Sequence, residues 1–155
     1  MDERNIYWFE EPLNIEDLSG AAKLVNNLTT PIALGENQYT CYGFRDVIEK
    51  GAADILNADA QVLGGINEWE KVANLAQANH ILVVPHGDQE IHVHLVCAIP
   101  NGLMLEYYDT EINVLRDAIF EEKLELNDDG TVSPPQRPGL GVKIKWDELE
   151  KYRIE

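Results

Sequence analysis

Five titratable side chains in the sequence stand directly after short apolar segments. They are Glu10, Glu36, Asp59, His86 and Glu106, and the segments before them are 6–9, 31–35, 53–58, 81–85 and 102–105. Short apolar segments of this kind are typical of buried strands. In parallel α/β proteins, sites are built at the carboxyl ends of the strands. We therefore expect these carboxylates and this histidine, which exchange protons, to form one site.

Helical patterns separate the five predicted strands. The sequence predicts helices over 15–28, 44–50, 68–78 and 90–98, with Asn67 as an N-cap and a turn over 62–66. The alternation predicts a parallel sheet with right-handed crossovers, and both an open doubly wound sheet and a (β/α) barrel fit it. No GxGxxG motif lies between a strand and a helix, which argues against a dinucleotide site.

The pattern changes after Glu106. Residues 127–130 lie between short apolar stretches and predict a hairpin turn, 134–141 predict an extended segment, and 146–152 predict a short helix. We expect residues 1–110 to form a partial barrel that carries the site. Residues 111–155 are expected to form a tail that packs against another part of the molecule.

The composition excludes several classes of partner. The chain has 155 residues, 45% of them hydrophobic, and a formal net charge of −16. This size supports one domain with a core, and the acidity argues against nucleic acid or an anionic membrane as partners. The two cysteines lie far apart, and no apolar stretch could span a bilayer. We expect free thiols and a cytoplasmic location.

Together these pieces resemble the mandelate racemase branch of the enolase superfamily, which includes muconate lactonizing enzyme. The matching pieces are 8–12, 35–37, Asp59 with 64–65, 85–86 and 105–106, at intervals of 26, 23, 27 and 20 residues between the five titratable groups. The resemblance covers about Asn5 to Tyr152. It implies the C-terminal part of a (β/α)7β TIM-like barrel, with about five parallel strands.

The resemblance also implies a role for each titratable residue. Glu10 and Glu36 would be two of the three carboxylates that hold Mg²⁺, an ion that prefers oxygen ligands. His86 would move the proton and Asp59 would orient its ring. Glu106 would hydrogen-bond the substrate carboxylate opposite the metal.

The reaction that the resemblance implies is Mg²⁺-dependent abstraction of the proton α to a carboxylate, through an enediolate. An acid-sugar dehydratase is preferred to a racemase. The reason is the polar character of the residues near the strand ends, which suits a polyhydroxy substrate: Asn37, Gln38, Asp88 and Gln89.

The family's third metal carboxylate and its lysine-containing base motif lie on strands expected before Trp8, and its capping domain is expected there too. A whole barrel needs roughly 200 to 250 residues. We therefore expect this chain to supply the C-terminal half, with its tail also packing on the capping domain. A complementing N-terminal half or a homo-oligomer would complete the site. The alternative is a truncated, inactive fragment.

A second alternative is an unrelated zinc-dependent hydrolase built on His86, Glu90, His92 and His94. On a strand, His92 and His94 would share a face and could bind zinc, but on a helix they would lie about 200° apart. The apolar residues around them favour a helix. Tyr107 and Tyr108, after Glu106, could shape a pocket or pack at the barrel rim.

Overall fold

The structure is a computed structural model that describes residues 4–109, 112 and 114–154, apart from the side chain of residue 117. Within these residues, four strands form one parallel sheet in the order β1-β2-β3-β4. The strands are β1 (Phe9–Glu10), β2 (Ile32–Leu34), β3 (Ile55–Leu56) and β4 (Leu82–Val83). Ala33 pairs with Glu10 on one side and with Ile55 on the other. The predicted parallel sheet is confirmed.

Helices connect the strands and follow them, and five of the seven helices in the described residues overlap predicted ones. They are α1 (Leu18–Asn27), α2 (Thr40–Glu49), α3 (Ala60–Leu63), α4 (Ile66–Ala78), α5 (Gln89–Cys97), α6 (Val114–Ile119) and α7 (Trp146–Glu150). The end of α2 is a Schellman motif, because Gly51 N donates to Ile48 O and Ala52 N donates to Val47 O. No described helix has the length and apolar character needed to cross a membrane.

The two faces of the sheet contact different layers. Leu34, Leu56 and Val83 belong to the larger apolar cluster, which also contains the fully buried Phe44 of α2 and Trp69 of α4. Residues next to these along the strands face the other way, since successive strand side chains alternate. They form a small cluster with the part-buried Trp8 and Leu103: Ala33, Ile55 and Val84.

The fifth predicted strand is much shorter in the structure. It is reduced to a single parallel bridge between Val83 and Gly102. A side chain at Gly102 would place its Cβ 2.6 Å from the carbonyl oxygen of Val96, so the close approach of α5 requires glycine here. The bridge lies beside β4, so the chain still enters the position that the fifth strand was predicted to take.

One local prediction is wrong and two are only partly confirmed. Asn67 is not an N-cap, because α4 begins one residue before it at Ile66 and Gly65 occupies the cap. The predicted turn over 62–66 overlaps the short helix α3, whose N-terminus is capped by the Asp59 side chain. The predicted hairpin is only a turn, in which Asn127 N donates to Thr131 O at 2.8 Å, and its flanks form no strand ladder within the described residues.

The tail contacts α5. His94 Nε2 lies 2.9 Å from Leu140 O, and the buried guanidinium of Arg116 lies 3.3 Å from Glu90 Oε2. A bridge between Phe120 and Ile144 joins two parts of the tail. The predicted boundary between residues 110 and 111 lies outside the described residues, so the division into barrel and tail stays a prediction.

Candidate active site

The carboxyl ends of the four strands deliver four of the titratable residues to one edge of the sheet. Glu10 is the last residue of β1, and Glu36, Asp59 and His86 follow β2, β3 and β4 by two or three residues. Gly35 has a φ of +141°, and a Cβ there would lie 2.8 Å from the Phe44 ring. Glycine therefore lets the chain turn and present Glu36 at the edge.

His86 is at the centre of this group. Its Nδ1 lies 3.1 Å from Asp59 Oδ2, and its Nε2 lies 3.3 Å from Glu36 Oε2. The Tyr108 hydroxyl also lies near this nitrogen, 3.5 Å from Nε2. One ring nitrogen is thus fixed by a carboxylate, and the other faces the space between the strand ends.

Carboxylates control the charge of this histidine. The hydrogen bond to Asp59 raises the pKa of His86 to about 9, against the effect of burial, and the charges of Glu36 and Glu106 add to the rise. Burial opposes ionisation of Asp59, but hydrogen bonds from His86 and from Gln61 N leave its pKa below the usual value. At neutral pH the pair is therefore an imidazolium and a carboxylate.

Glu10 and Glu36 lie near each other beside this pair. Burial raises the pKa of Glu10, and the charges of Glu106 and Glu36 raise it further, although a hydrogen bond from Trp8 opposes this. Glu10 Oε2 accepts that bond from the Trp8 indole at 3.1 Å. A cation between the two carboxylates would relieve their repulsion, and their hard oxygens fit Mg²⁺.

The described residues do not hold three or more His, Cys, Asp or Glu side chains in an arrangement that would by itself bind a metal. The two carboxylates therefore offer part of a coordination shell. Mg²⁺ commonly keeps several waters and uses one or two protein carboxylates, so the pair still fits this ion.

The two neighbouring carboxylates Glu10 and Glu11 take different directions. Glu11 has a φ of +36°, which is uncommon for a residue with a side chain. Its carboxylate accepts hydrogen bonds from Gly35 N at 3.3 Å and from Asn37 Nδ2 at 3.1 Å. Glu11 thus ties the loop after β1 to the loop that carries Glu36, while Glu10 faces the cluster.

Glu106 joins the same cluster through the loop after β4. Its Oε2 accepts a hydrogen bond from Gly87 N at 2.7 Å. Its charge acts on Glu10, His86 and Tyr108, so it lies within reach of all three. The structure therefore brings the five predicted residues together, and their individual roles stay predictions.

His92 was considered from sequence only as a zinc ligand, and the structure gives it a different place. It lies in α5, fully buried, and its Nε2 accepts a hydrogen bond from Ala60 N at 3.0 Å. Its Nδ1 therefore carries the proton and faces Asp88 O at 3.2 Å. Burial lowers the pKa of His92, which keeps the ring neutral.

The zinc hypothesis is wrong. His92 and His94 lie on the helix α5, so the shared strand face that the hypothesis needs does not form. The ring of His92 is engaged with backbone groups, and His94 contacts the tail at Leu140. His92 instead holds the start of α3, next to Asp59, against the loop that follows His86.

The arrangement of five strand-end residues agrees with a comparison against protein families. The model of the enolase C-terminal domain-like family matches residues 1–148. The chain belongs to this family. The resemblance to the mandelate racemase branch and the predicted C-terminal part of a TIM-like barrel are confirmed.

Individual enolase-family proteins support the same placement. D-xylonate dehydratase of Haloferax volcanii is 32% identical over 100% of this chain and 38% of its own length. A mandelate racemase/muconate lactonizing enzyme from Polaromonas sp. JS666 superimposes with a TM-score of 0.87 at 35% identity, over 96% of this chain and 39% of that one.

A second solved structure is an L-talarate dehydratase from the same Polaromonas strain, complexed with Mg and L-glucarate. It has a TM-score of 0.86 and 35% identity, over 96% of this chain and 40% of that protein. The chain thus spans about two fifths of the length of the relatives it matches.

Proposed function

We propose that this chain provides the acid–base part of a Mg²⁺-dependent site that removes the proton α to a carboxylate. The observation that carries the proposal is the His86–Asp59 pair at 3.1 Å, with Nε2 of His86 facing Glu36. A histidine whose Nδ1 is fixed by Asp59, with Nε2 next to a proposed metal ligand and a tyrosine hydroxyl, is suited to proton transfer. The acid-sugar dehydratases among its relatives support the same chemistry.

The acid-sugar dehydratases among the relatives favour dehydration over racemisation, with His86 as the acid that protonates the leaving hydroxyl. With a pKa of about 9, the ring carries its proton at neutral pH and can donate it to a leaving hydroxyl. The C–O bond breaks with its electron pair on oxygen, the Nε2 proton moves to that oxygen, and water leaves. The electron pair comes from the enediolate, which then becomes an enol that tautomerises to an α-keto acid.

Glu10 and Glu36 are proposed as metal ligands. Mg²⁺ bound to them would polarise the substrate carboxylate and stabilise the negative charge of the enediolate. Glu106, held by Gly87 N at 2.7 Å, is proposed to hydrogen-bond the substrate carboxylate. Asp59 keeps the His86 ring in position and favours its charged form.

The remaining ligands and the base for the α proton are proposed to come from polypeptide outside these 155 residues. A longer form of the chain, a complementing N-terminal half or a second copy could supply them. The proposed substrate is an acid sugar, and a cytoplasmic location stays a prediction.

The test is turnover of an acid-sugar panel by the protein in its native form, with intact mass and oligomeric state measured in parallel. The panel includes D-xylonate and L-glucarate, and the α-keto product is followed as its semicarbazone. We expect product with Mg²⁺ and none after chelation. In D₂O, dehydration should place deuterium at the carbon that lost the hydroxyl, whereas racemisation would place it at the α carbon.

Glu36→Gln removes one proposed ligand, and Glu49→Gln, in an exposed position at the end of α2, is the matched control. We expect the first to lose Mg²⁺-dependent turnover and the second to keep it. Equal turnover with and without Mg²⁺, or no α-keto acid from any acid sugar, would overturn the proposal.

A further inference from the structure

Tyr108 is a residue of the strand-end edge that the resemblance does not assign. Its hydroxyl lies 3.5 Å from His86 Nε2, the nitrogen that faces the substrate space. Glu36 Oε2 lies 3.3 Å from the same nitrogen. Any substrate atom that exchanges a proton with Nε2 must therefore come next to the Tyr108 hydroxyl.

A buried amide fixes the backbone of Tyr108. Gln89 is 1% exposed, its Oε1 accepts from Tyr108 N at 3.0 Å, and its Nε2 donates to Tyr108 O at 3.2 Å. This pair of bonds satisfies both backbone groups of one residue from one side chain. Gln89 begins the helix α5, so Tyr108 is held by a rigid element.

A buried ion pair adds to this clamp, the two hydrogen bonds by which Gln89 holds the Tyr108 backbone. Arg116 Nη2 donates to Tyr108 O at 3.3 Å, and Arg116 Nη1 lies 3.3 Å from Glu90 Oε2. Burying two charges is costly unless they hold a defined geometry. Arg116, paired with Glu90, thus gives the Tyr108 carbonyl a second hydrogen bond beside that from Gln89.

The Tyr108 hydroxyl keeps its proton. Burial, the neighbouring charge of Glu106 and a hydrogen bond with Glu106 raise the pKa of Tyr108 to about 12. The one O–H of Tyr108 can turn from Glu106 to a substrate oxygen, and its oxygen can still accept a hydrogen bond from His86. Among so many carboxylates, a neutral donor suits a hydroxyl or carboxylate oxygen of the substrate.

We propose that the Tyr108 hydroxyl contacts the substrate hydroxyl that leaves as water, and that Gln89 is the positioning residue that holds Tyr108 there. The inference rests on the proposed function. Tyr108 orients the leaving oxygen toward His86 Nε2, which supplies the proton, and Tyr108 retains its own. The ligand class is a carboxylate with a hydroxyl on its β carbon.

The first test needs no substrate. Ring-nitrogen NMR of the full chain at one pH compares the wild type with Tyr108→Phe and with Tyr107→Phe. The second variant is the matched control, because the Tyr107 hydroxyl instead donates to Leu124 O at 2.9 Å. We expect the His86 Nε2 resonance to move in the first variant only. An unmoved Nε2 resonance, or equal movement in both variants, would overturn the contact.

Gln89→Met removes both backbone bonds, whereas Gln89→Glu keeps the acceptor for Tyr108 N. We expect the methionine variant to reproduce the Nε2 change of Tyr108→Phe and the glutamate variant to give a smaller change. If Gln89→Met leaves Nε2 as in the wild type, Gln89 is not the positioning residue. If that variant does not fold, the Gln89→Glu spectrum decides the same question.

The third test is kinetic and uses whichever panel acid the wild type dehydrates. Loss of a hydrogen bond to a reacting oxygen should lower kcat for Tyr108→Phe by about tenfold to one hundredfold, with a smaller change in KM. Tyr107→Phe should stay within about twofold. An unchanged kcat in Tyr108→Phe would overturn the substrate contact. Lack of turnover in the wild type would instead be a failure of the proposed function.

Discussion

The Asp59 carboxylate lies near two histidines, one partly exposed at the strand ends and one fully buried. His86 Nδ1 lies 3.1 Å from Oδ2, and its side chain is 27% exposed at the strand ends. His92 Nε2 lies 3.6 Å from Oδ1, and its side chain is 0% exposed inside the fold. The pKa of His86 is raised to about 9, whereas that of His92 is lowered.

The difference shows that a shared carboxylate does not decide the charge of its neighbours. His86 donates a hydrogen bond from Nδ1 to Asp59, and the charges of two further carboxylates, Glu36 and Glu106, raise its pKa further. Burial has the largest effect on the pKa of His92 and lowers it. Its Nε2 must be unprotonated, because it accepts a hydrogen bond from Ala60 N. His86 is held in its charged form at the strand ends, and His92 joins the start of α3 to the loop after His86.

The largest expected effect comes from removing His86, the charged histidine beside Asp59. His86→Asn should lower turnover roughly one hundredfold to ten thousandfold, because a positioned acid–base group contributes about that much. The folded state should survive, since the side chain is partly open to water. The measurement is steady-state turnover on the acid-sugar panel, with circular dichroism to show folding. Retained turnover would remove His86 from the mechanism.

Removing His92, the buried histidine, should instead lower the stability of the fold. His92→Ala leaves a cavity and a buried Ala60 N–H without its acceptor, and we expect the free energy of unfolding to fall by about 2 to 4 kcal/mol. Urea unfolding measures this, with His80→Ala as the control because His80 is exposed. Equal losses from the two variants would show that His92 is not an anchor.

The pH dependence of stability should separate the same two groups. The raised pKa of His86 stabilises the fold fully below its unfolded value near 6.5, and this contribution is lost as pH rises through about 9. The lowered pKa of His92 has the opposite sign, so its contribution is present above about 6.5 and is lost as pH falls.

The alkaline limb should change the free energy of unfolding by roughly 1 to 2 kcal/mol, because water screens the partly open His86–Asp59 pair. The acidic limb, from the buried His92, should have the opposite sign. Urea unfolding from mildly acidic to alkaline pH measures both limbs. His86→Asn should flatten the alkaline limb and His92→Ala the acidic one. A variant that flattens the wrong limb would reverse the assignment.

The smallest effect is expected from Mg²⁺. Two carboxylates form a weak site, so saturation to several times Kd should add only about 1 kcal/mol to the unfolding free energy. The gain should vanish in the Glu10→Gln, Glu36→Gln double variant. The gain should persist in Glu11→Gln, because the Glu11 carboxylate instead accepts hydrogen bonds from the loop after β2. Thermal unfolding with and without Mg²⁺ measures this, and a gain that survives the double variant would move the metal elsewhere.

The strand-end residues could be predicted because the information is local. Each apolar segment that precedes Glu10, Glu36, Asp59 or His86 forms a strand, and parallel strands place their carboxyl ends at one edge. His92 could not be assigned in this way. Its role depends on the register of α5 against α3, which the spacing of one histidine from another does not contain.

Other features depended on long-range packing. The fifth strand is reduced to a bridge at Gly102, a residue against which α5 packs closely. The start of α3 is held by the distant His92, whose Nε2 accepts from Ala60 N. The Asp59 side chain caps the same helix, so a residue expected to act in catalysis also has a structural role. Tyr108 reaches His86 through the clamp from Gln89, whose position in sequence suggested only a polar neighbour of the site.

The ring-nitrogen NMR spectrum at neutral pH measures the protonation of both histidines directly. We expect His86 to carry protons on both nitrogens, and His92 to be neutral with its proton on Nδ1 and none on Nε2. A neutral His86 would contradict its assignment as the proton donor. A proton on Nε2 of His92 would contradict its hydrogen bond from Ala60 N and its role as the buried anchor of the site.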